Sequence, residues 1–292
     1  MKSRTFLTST LAILALSFIA ISTGRTQEPA VKNGDNIAFL GDSITAQGAT
    51  NPGGYVQLVI NGLETSGVKA AMIPAGVSGN TSKNMLARVD RDVLSKKPAW
   101  MTLSCGVNDV WHGADGVPLD QYEQNITSIV DQAQAAGIKV MILTATMIRE
   151  DQKNDFNQKL TAYNDFLKSL ATKKNCLLAD LNAAMQKEVS ATPHAGNLLT
   201  IDGVHMNIDG NIMMASAILK AFGLNDAQMQ KVRDGWLDLP NTTDLAAKAS
   251  ITLREYNQLK ALAAEQKQTV QDLVGQKLSE TIKSSLKTGT QK

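Results

Sequence analysis

Long apolar runs, aromatic rings, cysteines and net charge are all scarce in this 292-residue chain, and each shortage closes off a class of function. Phe, Trp and Tyr make up 4% of the residues, too few for a platform on which nucleic-acid bases stack. The net charge is +2 with no basic stripe, so nucleic acid is not an expected partner. The longest apolar run, "LAILALSFIAI" at residues 11–21, is about half of what spans a bilayer. It follows Lys2 and Arg4 and exits through Ser22-Thr23-Gly24, the three parts of a secretory signal. Residues 1–24 are therefore expected to be a signal peptide of a secreted or periplasmic protein, with an uncleaved anchor as the alternative. No cysteine follows the run, which argues against a lipid anchor, and no membrane insertion is expected after cleavage. Nothing in the sequence speaks to oligomeric state.

The two cysteines lie at the end of one apolar segment (Cys105) and at the start of another (Cys176). In a parallel sheet those positions lie at opposite ends of the strands, too far apart for a disulfide, so two buried free thiols are expected.

What the chain does have is composition for a core, with 43% hydrophobic and 19% charged residues. From residue 33 to 223, short apolar runs alternate with amphipathic ones. The strand candidates are "NIAFLG" (36–41), "KAAMIPAG" (69–76), "WMTLSCG" (100–106), "KVMILTATM" (139–147) and "CLLADL" (176–181). They are apolar along most of their length, as strands covered on both faces should be. Asp120 and Glu123 have capping-box spacing, and Gly67 and Gly137 stop helices before the second and fourth strands. The alternation implies an α/β fold, a three-layer sandwich around a five-stranded parallel sheet. Residues 224–292 carry no strand signal and read as a C-terminal helical appendage. Its first helix ends at Pro240, and a Thr252/Glu255 capping pair opens an amphipathic stripe running to Leu286. The end, "KTGTQK", is expected to be loose.

Ser43 closes the first strand, at the edge where open α/β sheets bind ligands. The plain alternative is a helix cap. A serine nucleophile needs a base, a group orienting that base and oxyanion donors. The second strand runs into Gly76 and Gly79, which let backbone N–H groups approach, and the third into Asn108, whose amide can donate. Asp202 stands three residues before His205, but Asp109 stands three before His112, so spacing alone leaves the base undecided.

Taken in order, "FLGDSIT", "GVSGNTS", "GVNDVW" and "DGVHMN" resemble the four blocks of the GDSL/SGNH hydrolases, over about residues 34 to 222. The resemblance implies a flavodoxin-like fold and ester hydrolysis without metal or organic cofactor. It puts the nucleophile on Ser43 and the acid and base on Asp202 and His205. The oxyanion hole falls on the Ser43 and Gly79 backbone N–H groups and the Asn108 amide. Two positions depart from the family: Met206 follows the histidine where Pro or Leu is frequent, and Asn80 stands where many members carry Asp. Trp111 is a candidate pocket wall, or alternatively packs on the appendage. Met147 and Ile148 are candidates for the acyl side, or alternatively for core filling. Asp42 is expected to bond the turn beneath Ser43. The substrate implied is a small-molecule or glycan ester, with short acyl groups favoured because no long apolar lid is evident. A lysophospholipase or thioesterase, or a non-catalytic binding module on this scaffold, are the alternative readings.

Overall fold

The computed structural model describes residues 28–193, 196–240 and 249–289; the signal-like segment and His194 lie outside them. Five parallel strands form one sheet: β1 (Asn36–Gly41), β2 (Ala71–Gly76), β3 (Trp100–Ser104), β4 (Lys139–Leu143) and β5 (Leu177–Ala179). Their order in the sheet is β2-β1-β3-β4-β5, so the chain runs outward from β1 to β2 and then returns to β3 on the other side of β1. That reversal leaves a crevice at the carboxyl edge between β1 and β3, where ligands bind in such sheets. Ile37, Ala38, Phe39 and Leu40 are fully buried, which is why β1 reads as an unbroken apolar run.

The helices that cover the sheet are α1 (Ser43–Thr50), α2 (Tyr55–Thr65), α3 (Ser82–Asp92), α4 (Val107–Trp111), α5 (Leu119–Ala135), α6 (Asp155–Lys173), α7 (Leu181–Ala191), α8 (Ile208–Ala221) and α9 (Asp226–Leu237). Met229, Val232 and Trp236 of α9 belong to the same apolar core as β1 and α8. A Cβ placed on Gly62 of α2 would meet Leu219, Val232 and Trp236, so α2, α8 and α9 pack closely. The helix at 226–237, which composition alone assigned to the appendage, is thus part of the core. The chain divides into two compact units at residues 243 and 244. The second contains α10 (Leu253–Glu265) and α11 (Val270–Gly289), a helical pair with Ala263 and Leu273 buried. No helix among the described residues is long and apolar enough to cross a membrane.

Several local expectations are corrected. β2 is an edge strand with Ala71 and Pro74 exposed, not one covered on both faces; proline lacks the N–H that an inner strand must donate. β4 ends at Leu143 rather than Met147. Helix α5 starts at Leu119 behind Pro118, so Asp120 lies in its first turn and the Asp120/Glu123 box does not form. The stripe from Thr252 is broken at Lys267 (φ 55°), and Thr269 caps a second helix by bonding Asp272. Helix α11 then continues through Gly289, past the start of the expected loose end. Both cysteines are free, but only Cys105 is buried and Cys176 is half-exposed.

One buried cation ties the carboxyl edge together. Arg88 of α3, 8% exposed, donates to the carbonyls of Gly41 (2.8 Å) and Ala75 (2.9 Å), at the ends of β1 and β2. It also donates to Asn80 Oδ1 (2.6 Å) and Asp92 (2.9 Å). Removing the guanidinium takes a donor from both strand-end carbonyls and from Asp92, although the Gly41 carbonyl keeps the Val77 N–H and Asp92 keeps the Arg91 guanidinium. Arg88→Met is expected to lower stability by about 1–3 kcal/mol in urea denaturation. A loss below about 0.5 kcal/mol, the level of an ordinary surface change, would contradict this role.

Candidate active site

The Gly41-Asp42-Ser43 turn is dictated by crowding. A Cβ on Gly41 would fall 2.0 Å from Thr45 Oγ1, so only glycine fits beneath the first turn of α1. Asp42 caps that helix by accepting from the Ile44 N–H (3.0 Å), which leaves Ser43 as its first residue. The Ser43 N–H therefore belongs to the terminal amides that have no intrahelical acceptor.

The parallel register brings the next two loops alongside. Gly41 pairs with Gly76, and Leu40 with Leu103, so the chain leaves β1, β2 and β3 at nearly one level. After β2 the chain turns through Gly79, whose φ of +75° suits a residue without a side chain. After β3, Asn108 of α4 is nearly buried, and its amide donates to the Asn80 carbonyl (3.1 Å) and to Asp42 Oδ2 (3.3 Å). Asn80 thus serves Asn108 through its backbone carbonyl and Arg88 through its side-chain oxygen, and a neutral amide suffices for the second.

The loop between Thr200 and Asn207 supplies the rest. Asp202 Oδ1 accepts from the N–H groups of Val204 (3.0 Å) and His205 (2.8 Å), and its Oδ2 lies 2.7 Å from His205 Nδ1. His205 Nε2 lies 2.9 Å from Ser43 Oγ. A carboxylate on one side requires Nδ1 to carry the proton, so Nε2 is left to accept from the serine hydroxyl. The rival pair is not formed: Asp109 is buried and bonds the Ser82 N–H (2.9 Å) and the Cys105 thiol.

Ser43, Gly79, Asn108, Asp202 and His205 all line one open cleft of about 470 Å³. Trp111 and His112 line it too, as do Gln47, Ser78 and Val204, which the sequence reading did not single out. Trp111 is 37% exposed and stacks on Phe156 (5.6 Å between centroids), with the Arg149 guanidinium over both rings. Met147 is not in the cleft. Residues 144–148 stay inside the protein after β4, and Met147 and Ile148 are both fully buried in the core. Among the described residues no group of three or more His, Cys, Asp or Glu is arranged to hold a metal ion.

The two carboxylates beside the serine sit in opposite environments. Desolvation pushes Asp202 up, but bonds from the His205 ring and from the His205 and Val204 N–H groups outweigh it and hold the carboxyl at about 2. Its stabilising effect is complete above about pH 4 and is lost as pH falls further. Burial pushes Asp42 the other way, up to about 6, against the opposing bond from Ile44. Since an unfolded aspartate titrates near about 3.9, the folded state holds the Asp42 proton more tightly and loses stability between about pH 4 and 6. An Asp42→Asn variant is therefore expected to gain stability relative to the parent as pH rises through that window. A stability difference that stays flat from pH 4 to 6 would contradict the assignment.

Comparison with known proteins bears on the same region. The profile of the GDSL-like Lipase/Acylhydrolase family matches residues 39–211. An acetylxylan esterase of Geobacillus stearothermophilus is 28% identical over 214 residues, covering 66% of this chain and 96% of the relative. The crystal structure of such an esterase, Axe2 from the same organism, aligns with a TM-score of 0.62 at 28% identity, over 67% of this chain and 97% of that one. Catalytic mutants of it have been solved with a serine, an aspartate or a histidine replaced by alanine. Esterase TesA of Pseudomonas aeruginosa is 34% identical over 119 residues, 40% of this chain and 56% of that protein. The family match runs from the strand before the serine turn to the helix after the histidine loop; the chain belongs to the GDSL-like lipase/acylhydrolase family and is a carboxylic ester hydrolase.

Proposed function

We propose that this hydrolase cleaves short-chain acyl esters, including acetyl groups carried on carbohydrate, through an acyl-enzyme on Ser43. The observation that carries the reading is the unbroken chain from Ser43 Oγ through His205 to Asp202, with bonds of 2.9 and 2.7 Å. Ser43 Oγ attacks the ester carbonyl carbon while its proton passes to His205 Nε2, and Asp202 stabilises the imidazolium. The carbonyl oxygen becomes an oxyanion, received by the N–H groups of Ser43 and Gly79 and by the Asn108 amide. To reach it, Asn108 gives up its longer bond, to Asp42. The tetrahedral intermediate then expels the alcohol, which takes the proton from His205. Water repeats the sequence at the acyl-enzyme and releases the acid.

The cleft supports a small acyl group. It is open and about 470 Å³ in volume, and the exposed Trp111 ring in its lining is a flat face of the kind that stacks against a sugar. The similarity to an acetylxylan esterase points the same way. The segment at residues 1–24 supports export to the periplasm or beyond, with the hydrolase acting on esters it meets there.

The tests separate the residues. Ser43→Ala is expected to abolish hydrolysis of p-nitrophenyl acetate in a folded protein, and His205→Ala to cost about as much, because members of a triad fail together. His112→Ala should change activity by less than about tenfold, through the shape of the cleft alone. A dead His112→Ala beside an active His205→Ala would overturn the assignment of the base. Asn108→Ala should lower kcat by about 10²–10³ with little change in KM, since its bond strengthens only as the oxyanion forms. A change confined to KM would make Asn108 a substrate-positioning group instead. Across p-nitrophenyl esters from acetate to palmitate, kcat/KM is expected to fall with chain length; a maximum at long chains would favour a lysophospholipase or thioesterase.

A further inference from the structure

We propose that Glu150 is a positioning residue for the Asp202–His205 loop, holding the base over Ser43 without touching substrate. This rests on the reading of Ser43 and His205 as nucleophile and base.

Little beyond its own loop holds Asp202. Its side chain is 52% exposed, so packing does not place it. Its position, and that of His205, comes from the backbone of a closed loop. Within that loop Thr200 bridges Met206, the Ile201 N–H donates to the His205 carbonyl (2.8 Å), and the Asn207 N–H donates to Leu199 (3.1 Å). The Gly203 N–H reaches Thr200 Oγ1 (3.1 Å).

The loop hangs from Glu150. This carboxylate is 8% exposed and accepts from three successive backbone N–H groups: Leu198 (2.6 Å), Leu199 (2.8 Å) and Thr200 (2.8 Å). It also accepts from the Thr200 hydroxyl (2.7 Å). A group that only accepts, with two oxygens in a fixed fork, is what converging N–H donors need. Glutamine has the same shape but presents one NH₂, which would face a donor.

The residue before Glu150 grips the loop's far side. The Arg149 N–H donates to the Gly203 carbonyl (2.6 Å), and Arg149 adopts a left-handed φ of 58°, unusual for a residue with a side chain. The turn that carries both is pinned by buried Asn157 of α6, which accepts from the Ile148 N–H (2.9 Å) and donates to the Arg149 carbonyl (3.1 Å). The strained turn after β4 is thus locked on α6 and clasps the histidine loop at two points. A displacement of the base by about 1 Å is enough to cost on the order of a hundredfold in rate.

The test is Glu150→Gln, with Thr200→Val as a milder break in the same clasp, assayed with p-nitrophenyl acetate below the melting temperature. The expected result for Glu150→Gln is a fall in kcat of about tenfold to a hundredfold with KM within about twofold. The rate of inactivation by a fluorophosphonate should fall in parallel, because that reaction also needs the base against Ser43. Thr200→Val should move both in the same direction by less. If Glu150→Gln does not fold, Thr200→Val decides. A lowered melting temperature with kcat unchanged would overturn the proposal and leave Glu150 a merely structural group. Running His205→Ala alongside keeps the two readings apart: if it stays active, the assignment of the base fails, whereas a dead His205→Ala beside fully active clasp variants refutes the role of Glu150 alone.

Discussion

The 2.9 Å contact between His205 Nε2 and Ser43 Oγ joins residues 162 positions apart, and the rest of the structure depends on making it. A parallel sheet is well suited to the task. Its strands leave at one edge, so the loops after β1, β2 and β3 meet without long detours, and the order β2-β1-β3-β4-β5 opens a crevice there. The histidine does not come from a strand end. It rides on a loop just before α8, and Asn207, two residues on, caps that helix while its amide holds the Leu198 carbonyl (2.8 Å). The His205 loop is thereby held from the helix on one side and from the strand-end turn on the other.

Around this contact, environment rather than residue type divides the labour between two aspartates. Asp202 is half-exposed and surrounded by donors that hold its carboxyl down at about 2. Asp42 lies fully buried beneath the serine, where its carboxyl is raised to about 6, and it serves as a helix cap and as an acceptor for Asn108. Arg88 ties the same floor from below by bonding the carbonyls at the ends of β1 and β2. Burying these polar groups is tolerable because each is hydrogen-bonded.

Much of this was legible in the sequence, and what escaped did so for physical reasons. The five strands and their neighbouring helices follow from apolar runs punctuated by glycine, and the site residues lie in short blocks where local spacing carries meaning. Glu150 and Arg88 lie in no such block. The partners of Glu150 are 48 to 50 residues away, and Arg88 reaches back 47 to Gly41, so no periodicity or spacing could mark them. Met147 is a candidate for the cleft or for the core, and the chain stays buried after Leu143, which decides for the core. Pro118 moved the start of α5 ahead of Asp120, and the Thr269/Asp272 cap divided what looked like one stripe into two helices. Local signals of this kind compete, and the tertiary contacts decide among them.

Ser43 is the residue on which a covalent acyl-enzyme would form. Mixing the protein with p-nitrophenyl acetate, quenching in acid before the steady state and mapping the peptides by mass spectrometry tests this directly. An acetyl group on Ser43, formed with a burst of p-nitrophenol and removed on further incubation, is the predicted result. An acetyl group mapped to any other residue, formed and removed at the rate of turnover, would contradict it.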